Sequence, residues 1–162
     1  MRRLILAGPQ RVGKSTVAEY LCNHYNATDY PLSAPLKHIA TTYYGMHGKD
    51  RRLLISLASA MRSVDPLVFC KHAFSRIVAD NPDFAVISDV RQMDEVAFFL
   101  QCGFRPLRIH APLEIRSQRQ GFDAEFVSHP TEQPLPIEPV IMNSGSIEYL
   151  KHKIDAFMRD WR

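Results

Sequence analysis

Four residues near the amino terminus have the types and the spacing to bind phosphate. Gly8, four intervening residues and then Gly13, Lys14 and Ser15 read Gly-x-x-x-x-Gly-Lys-Ser, the pattern of a phosphate-binding loop. Its physical demand is that main-chain N–H groups point inward around a polyphosphate. That requires glycine where a Cβ would block close approach, and a helix N-terminus just beyond to offer its positive end. Gly8 and Gly13 meet the demand. Lys14 is then placed for the β- and γ-phosphates of a nucleotide, Ser15 for Mg²⁺, and Thr16 leads into the helix.

Other residues have chemistry that fits such a loop. Asp89 directly follows the apolar run Phe84 to Ser88. An acidic residue there sits at the carboxyl edge of a sheet, where it can hold Mg²⁺ directly or through water, contact an acceptor, or cap the helix that begins near Met93. Arg91 lies two residues on, and an extended backbone puts both side chains on one side, with the cation beside a transferred phosphoryl group. Arg116 and Arg119, three apart on an expected helix, share a face; they read either as a lid over phosphates or as a solvated surface. Lys37 and Arg62 are either acceptor-phosphate ligands or ordinary surface cations. Tyr43, Tyr44 and Phe69 form either an aromatic slot or part of the core. Asn143 and Gly145, before the last helix, either meet an adenine or make an ordinary turn. Asp29, near the end of the second strand, is a weaker candidate to face an acceptor.

These residues need a scaffold of alternating strands and helices. Apolar runs predict strands at Leu4 to Ala7, Thr28 to Pro31, Phe84 to Ser88, Arg105 to His110 and Val140 to Met142. Helical spacing of Val17, Ala18, Leu21, Cys22 and Tyr25 predicts a first helix from Lys14 to about Asn26. Another runs from Ala34 to Tyr44, a third carries Leu53, Leu54, Leu57, Ala58 and Met61, and a fourth turns Leu67, Cys70, Phe74, Ile77 and Val78 inward. These three successive helices break the alternation and form an insertion over about 33–82, suited to binding an acceptor. A helix from Met93 to Cys102 points Met93, Val96, Ala97 and Leu100 inward. A lid over about 112–134 begins with a helix from Pro112 to Gly121 and continues as a polar, proline-rich loop. The last helix sets Ile147, Leu150, Ile154, Phe157 and Trp161 on one face. The expected fold is α/β: a five-stranded parallel sheet between two helical layers, with ligands at the carboxyl ends of the strands.

Composition excludes several alternatives. The 162 residues fit one domain with a sizeable core, and 46 % hydrophobic with 23 % charged residues is ordinary for a globular chain. No apolar run approaches a membrane span and no targeting signal is visible, which points to a cytoplasmic protein without a membrane partner. Three widely spaced cysteines in helical patterns read as reduced thiols, and seven histidines show no metal-ligand spacing. Net charge is +3. Setting aside Arg11, Lys14, Lys37, Arg62, Arg91, Arg116 and Arg119 leaves a negative remainder, so the positive excess sits in one site. That suits a small phosphorylated ligand better than a nucleic-acid track.

Taken together, GPQRVGKSTVAEYL, SAPLK, LLISLASAMRSVDP, VISDVRQMDEVAFF, IRSQR and MNSGSIEYL resemble the phage-type deoxynucleoside monophosphate kinases, within the wider nucleoside and phosphomevalonate kinase group. The likeness spans nearly the whole chain. It implies a P-loop kinase fold, ATP and Mg²⁺ as donor, and a deoxynucleoside 5′-monophosphate as acceptor, in the host cytoplasm for a phage-encoded chain. Carried onto this sequence, Gly8, Arg11, Val12, Gly13, Lys14, Ser15 and Thr16 bind ATP phosphates. Asp89 and Arg91 line the transfer site, Lys37 and Arg62 meet the acceptor, and Arg116 with Arg119 form the lid. The shortness of the chain leaves the acceptor open, with phosphomevalonate-like compounds and a modified base in DNA as alternatives. A non-catalytic ATP-binding adaptor is a further alternative, and a homodimer is also left open.

Overall fold

A computed structural model describes residues 1–161. Five strands, β1 (Arg2–Ala7), β2 (Thr28–Asp29), β3 (Phe84–Val90), β4 (Arg105–His110) and β5 (Val140–Met142), form one sheet in the order β2-β3-β1-β4-β5. Every pairing is parallel, and β1 runs down the middle with Leu4 opposite Val86 on one side and Arg105 on the other. A parallel sheet needs cover on both faces because its crossovers are helices. The period of two along β1 delivers that cover: Leu4 and Leu6 enter one apolar cluster, Ile5 and Ala7 the opposite one.

The first cluster is closed by α1 (Lys14–Tyr25) and α7 (Ile147–Arg159), through Val17, Leu21, Leu150 and Ile154. The second is closed by α4 (Val68–Asp80) and α5 (Met93–Gln101), through Phe69, Ile77, Val96 and Phe99. Between β2 and β3 stand α2 (Ala34–Tyr44), α3 (Arg51–Val64) and α4, so the three-helix insertion is present. No single described helix is long and apolar enough to cross a membrane.

Some expectations fail locally. Val78, Met93, Ala97, Leu100 and Ile147 are exposed rather than inward, because each lies beside the buried stripe of its helix. The second strand is only Thr28–Asp29, since Pro31 lacks a ladder donor. The lid helix α6 spans only Leu113–Ser117, and two single-turn 3₁₀ segments, Ala124–Phe126 and Pro130–Glu132, punctuate the stretch expected as loop.

Candidate active site

The loop between β1 and α1 has the backbone its sequence demands. Gly8 and Gly13 have φ of 141° and 104°, values that L side chains rarely adopt. Space forbids a side chain as well: a Cβ on Gly8 would strike the Ile109 carbonyl, and one on Gly13 the Asn143 amide. Asn143, at the end of β5, is buried and donates from Nδ2 to the Val12 carbonyl at 2.8 Å. Its side chain therefore shapes the loop from behind, and its carbonyl accepts from Arg119 Nη2 at 2.9 Å.

Lys14 is folded back into the loop, donating from Nζ to the carbonyls of Gly8 (2.5 Å) and Pro9 (2.8 Å). It is 7 % exposed. Burial and then repulsion from Arg91 hold its ammonium well below the ordinary lysine range, against the opposing pull of Glu132 and Asp89. A buried cation so disfavoured gains from an anion brought beside it. Ser15, in the first turn of α1, is exposed, and Thr16 is half-buried.

Asp89 does not cap α5. The N-cap of α5 is Gln92, and the residue that binds back to its N–H is Glu95. Asp89 instead accepts from the Leu32 N–H (2.7 Å) and the Ser33 N–H (3.0 Å), fastening the turn into α2. Asp89 and Arg91 take different partners, Arg91 turning to Glu132, 2.6 Å from Nη1, while both act on the Lys14 ammonium. Beside Asp89, Asp29 accepts from Ser88 Oγ at 2.7 Å, while its Oδ1 is buried without a hydrogen-bond partner among the described residues. Burial raises the Asp29 carboxyl to about 6, with Ser88 opposing and Asp89 reinforcing the shift.

Arg119 lies beyond the end of α6 at Ser117, so the two arginines do not share a helix face, yet both reach carbonyls of the phosphate loop. Arg116 donates to the carbonyls of Gln10 and Ala111, both at 3.1 Å. Arg119 Nη1 reaches the Arg11 carbonyl at 2.6 Å. The segment expected as a lid thus rests on main-chain acceptors of Gln10, Arg11 and Ala111.

Sequence reasoning missed how Gln10 joins the two sides. Its N–H donates to Glu132, its side-chain amide nitrogen donates to the Asp123 carbonyl (2.7 Å), and its side-chain oxygen accepts from Arg51 (2.8 Å). Glu132 is 6 % exposed and stands between Arg91 and Arg51. Opposite the loop, between the start of α3 and the lid, lies a cavity of about 660 Å³ whose walls include Arg11, His47, Lys49, Arg51, Phe122 and Phe126. Lys49 stands on its rim. Partial burial, and then repulsion from Arg51, Arg91, Arg11 and Lys37, lowers its ammonium from the ordinary value. Lys37 is exposed, within electrostatic reach of both Lys49 and Asp29.

The other residues expected on the acceptor side are elsewhere. Phe69 is 2 % exposed, in the core beneath α4, whereas Tyr43 is 77 % exposed near the end of α2, so the two form no slot. Arg62 donates to the buried Glu95 carboxylate at 2.7 Å and lies over the Phe69 ring at 5.1 Å. That carboxylate also accepts from the Arg91 N–H at 2.8 Å, so Arg62 locks the β3–α5 turn to the end of α3. Periodicity held the signal for Phe69, since Phe69, Cys70, Ala73 and Ile77 are a buried helical stripe. The sequence holds no comparable signal for Glu132.

No family model matches this chain, and no curated protein does. Solved structures do. The chain is similar along its whole length to TT1252 from Thermus thermophilus, with 20 % identity, a TM-score of 0.64 and all of both chains covered. A sugar kinase from a Janibacter species matches at 18 % identity and TM-score 0.59, covering 98 % of this chain and 95 % of that one. The shikimate kinase of Aquifex aeolicus matches at 14 % identity and TM-score 0.55, covering 97 % of this chain and 96 % of that one. At such identities the likeness establishes the fold alone: the chain, with its all-parallel five-stranded sheet, has the α/β architecture of the sugar kinase and shikimate kinase structures.

Proposed function

We propose that the protein is a P-loop kinase that transfers the γ-phosphoryl group of ATP to a deoxynucleoside 5′-monophosphate, giving ADP and the diphosphate. One observation carries this reading: a phosphate loop with a buried lysine lies near a cavity of about 660 Å³ whose wall carries Arg11, Lys49, Arg51 and Arg52, interleaved with the carboxylates of Asp50, Asp123 and Glu125, and two half-buried phenylalanines. That volume is within the usual range for small-molecule sites. The cations suit a phosphate monoester, and Phe122 and Phe126 offer faces to a base. The fold shared with kinases of sugars and of shikimate supports phosphoryl transfer to a small molecule.

In transfer, an acceptor phosphate oxygen forms a bond to the γ-phosphorus while the bond from that phosphorus to the β–γ bridging oxygen breaks. The electron pair leaves with ADP. A phosphate monoester already carries an oxyanion near neutral pH, so the step needs no general base. This chain supplies position and charge: Lys14 and the loop amides hold the donor, Arg91 the transferred group, and Lys49 with Arg51 the acceptor. Arg116 and Arg119, already on the loop, exclude water. The oxygen donors fit Mg²⁺: the exposed Ser15 hydroxyl and the Asp89 carboxylate, whose oxygens each keep a lone pair, would hold it. When bound, the ion neutralises charge on the β- and γ-phosphates. The test is a panel of deoxynucleoside monophosphates incubated with ATP and Mg²⁺. Conversion of at least one to its diphosphate is expected, and no ADP above background with any of them refutes the proposal.

A further inference from the structure

The carboxylate of Glu132 sits among donors that suit a phosphoryl group. Its Oε2 accepts from the N–H of Gln10, a main-chain donor of the phosphate loop. Its Oε1 accepts from Arg91 Nη1 at 2.6 Å, and Arg51 Nη1 stands 3.6 Å from the same atom. Behind them, Glu132 gives the Lys14 ammonium its strongest charge compensation. A loop amide, a guanidinium just after β3 and a second from the insertion thus converge on the two oxygens of one side chain. Mixed amide and guanidinium donors are what a phosphate oxyanion recruits.

The position of these donors matters as much as their kind. Gln10 belongs to the donor loop and Arg51 to the wall of the acceptor cavity, the two meet directly at 2.8 Å, and Arg91 joins them through Glu132. A group transferred between the two sides passes here. Arg51 keeps other acceptors, Gln10 Oε1 at 2.8 Å and Asp123 at 3.5 Å. Among the described residues, the Arg91 guanidinium has beyond Glu132 only the Thr131 carbonyl at 3.3 Å.

We propose that Glu132 is a built-in stand-in for the transferred phosphoryl group: it fills that group's site in the free protein and is displaced by the terminal phosphate of a bound nucleoside triphosphate. This rests on the ATP reading above. Displacement weakens triphosphate binding, because only the fraction of molecules with the site vacated is competent. A diphosphate ends one group short of the site and leaves Glu132 in place. Glu132 therefore lets the protein exchange nucleotide without holding triphosphate too tightly.

Titration calorimetry of wild type and Glu132→Gln with ADP and with the non-hydrolysable triphosphate AMPPNP tests this, with thermal melting to verify that both proteins fold. Removing the charge should tighten AMPPNP about tenfold and change ADP by less than about twofold. Glu132→Asp, which keeps the charge on a stem too short to span Gln10 and Arg91, should shift the same ratio in the same direction by less. It supplies the comparison if the glutamine variant does not fold. Equal changes for the two nucleotides, or weaker AMPPNP binding, overturn the proposal and leave Glu132 a latch for the lid. Absence of binding by either nucleotide to wild type overturns the ATP reading itself.

Discussion

The two walls of the cleft are built by different means. The donor wall is main chain: a loop fixed by Gly8 and Gly13, braced by one buried amide from Asn143, with Lys14 folded inside it. The acceptor wall is side chain: Lys49 and Arg51 from the start of α3, Phe122 and Phe126 from the lid, and Arg11 reaching from the loop. Main-chain recognition fixes the class of ligand, because every polyphosphate offers the same oxygens to the same amides. Side-chain recognition fixes which ligand, and changes with a few substitutions. The donor half of such a fold therefore specifies chemistry and the acceptor half specifies substrate.

The comparison breaks most sharply at Lys14. Replacing it with methionine should reduce turnover by about 10³-fold, through loss of the buried cation that holds the donor phosphates. The fold should not suffer. A lysine held below its ordinary range in the folded state is a charge that folding disfavours, so stability on its account grows as pH rises toward the unfolded value. Melting of the methionine variant at neutral pH should therefore match or exceed wild type. A large drop in melting temperature would mean that the contacts of Lys14 with the Gly8 and Pro9 carbonyls are structural first.

Arg62 gives the next largest effect, and it separates an acceptor role from a packing role. The Arg62→Ala change strands the Glu95 carboxylate, which is 1 % exposed, and should cost about 3 kcal/mol of stability. Because Arg62 is spent on Glu95, the acceptor KM measured well below the melting transition should stay within about twofold of wild type. A KM raised tenfold with unchanged melting would put Arg62 back at the acceptor.

Arg51→Ala is the converse. Its guanidinium lies on the cavity wall over Phe126 at 5.7 Å, so its loss should raise the monophosphate KM by about tenfold or more while the KM for ATP moves little. Equal changes in both constants would mean that Arg51 acts through Gln10 on the loop instead.

How much of this could be read in the chain follows the same division. The sheet, the order of helices and the loop are local patterns: period two in β1, period 3.6 in α1 and α4, glycines at fixed offsets. Each is confined to about a dozen residues. The join between the walls is not local. Gln10 and Glu132 are 122 positions apart, and Arg51 and Asp123 more than seventy; no periodicity links such pairs. Glu132 lies in a proline-rich stretch whose single 3₁₀ turn is too short to leave a pattern. Asp89 shows the intermediate case. Its place after an apolar strand marks a sheet edge, yet only the fold reveals that the edge abuts the Leu32–Ser33 turn.

The smallest predicted effect concerns the carboxyl beside Asp89, and it sharpens where the site ends and the scaffold begins. Asp29 ordinarily titrates near 3.8 and in the folded chain near 6, chiefly because it is buried. The folded state therefore binds an additional proton between those values. Stability contributed by the protonated form is fully present below about 3.8 and is lost as pH rises through about 6. Asp29→Asn removes that dependence while leaving an oxygen to accept from Ser88. Stability of the variant relative to wild type should thus increase between pH 4 and pH 7, by on the order of 2 kcal/mol, and level off above. Denaturant unfolding at a series of pH values measures it. Parallel curves for the two proteins would mean that Asp29 stays ionised with a cation close to its unpartnered oxygen. Lys37 is the residue within reach to provide one, and the acceptor wall would then extend across β2 to the edge of the sheet.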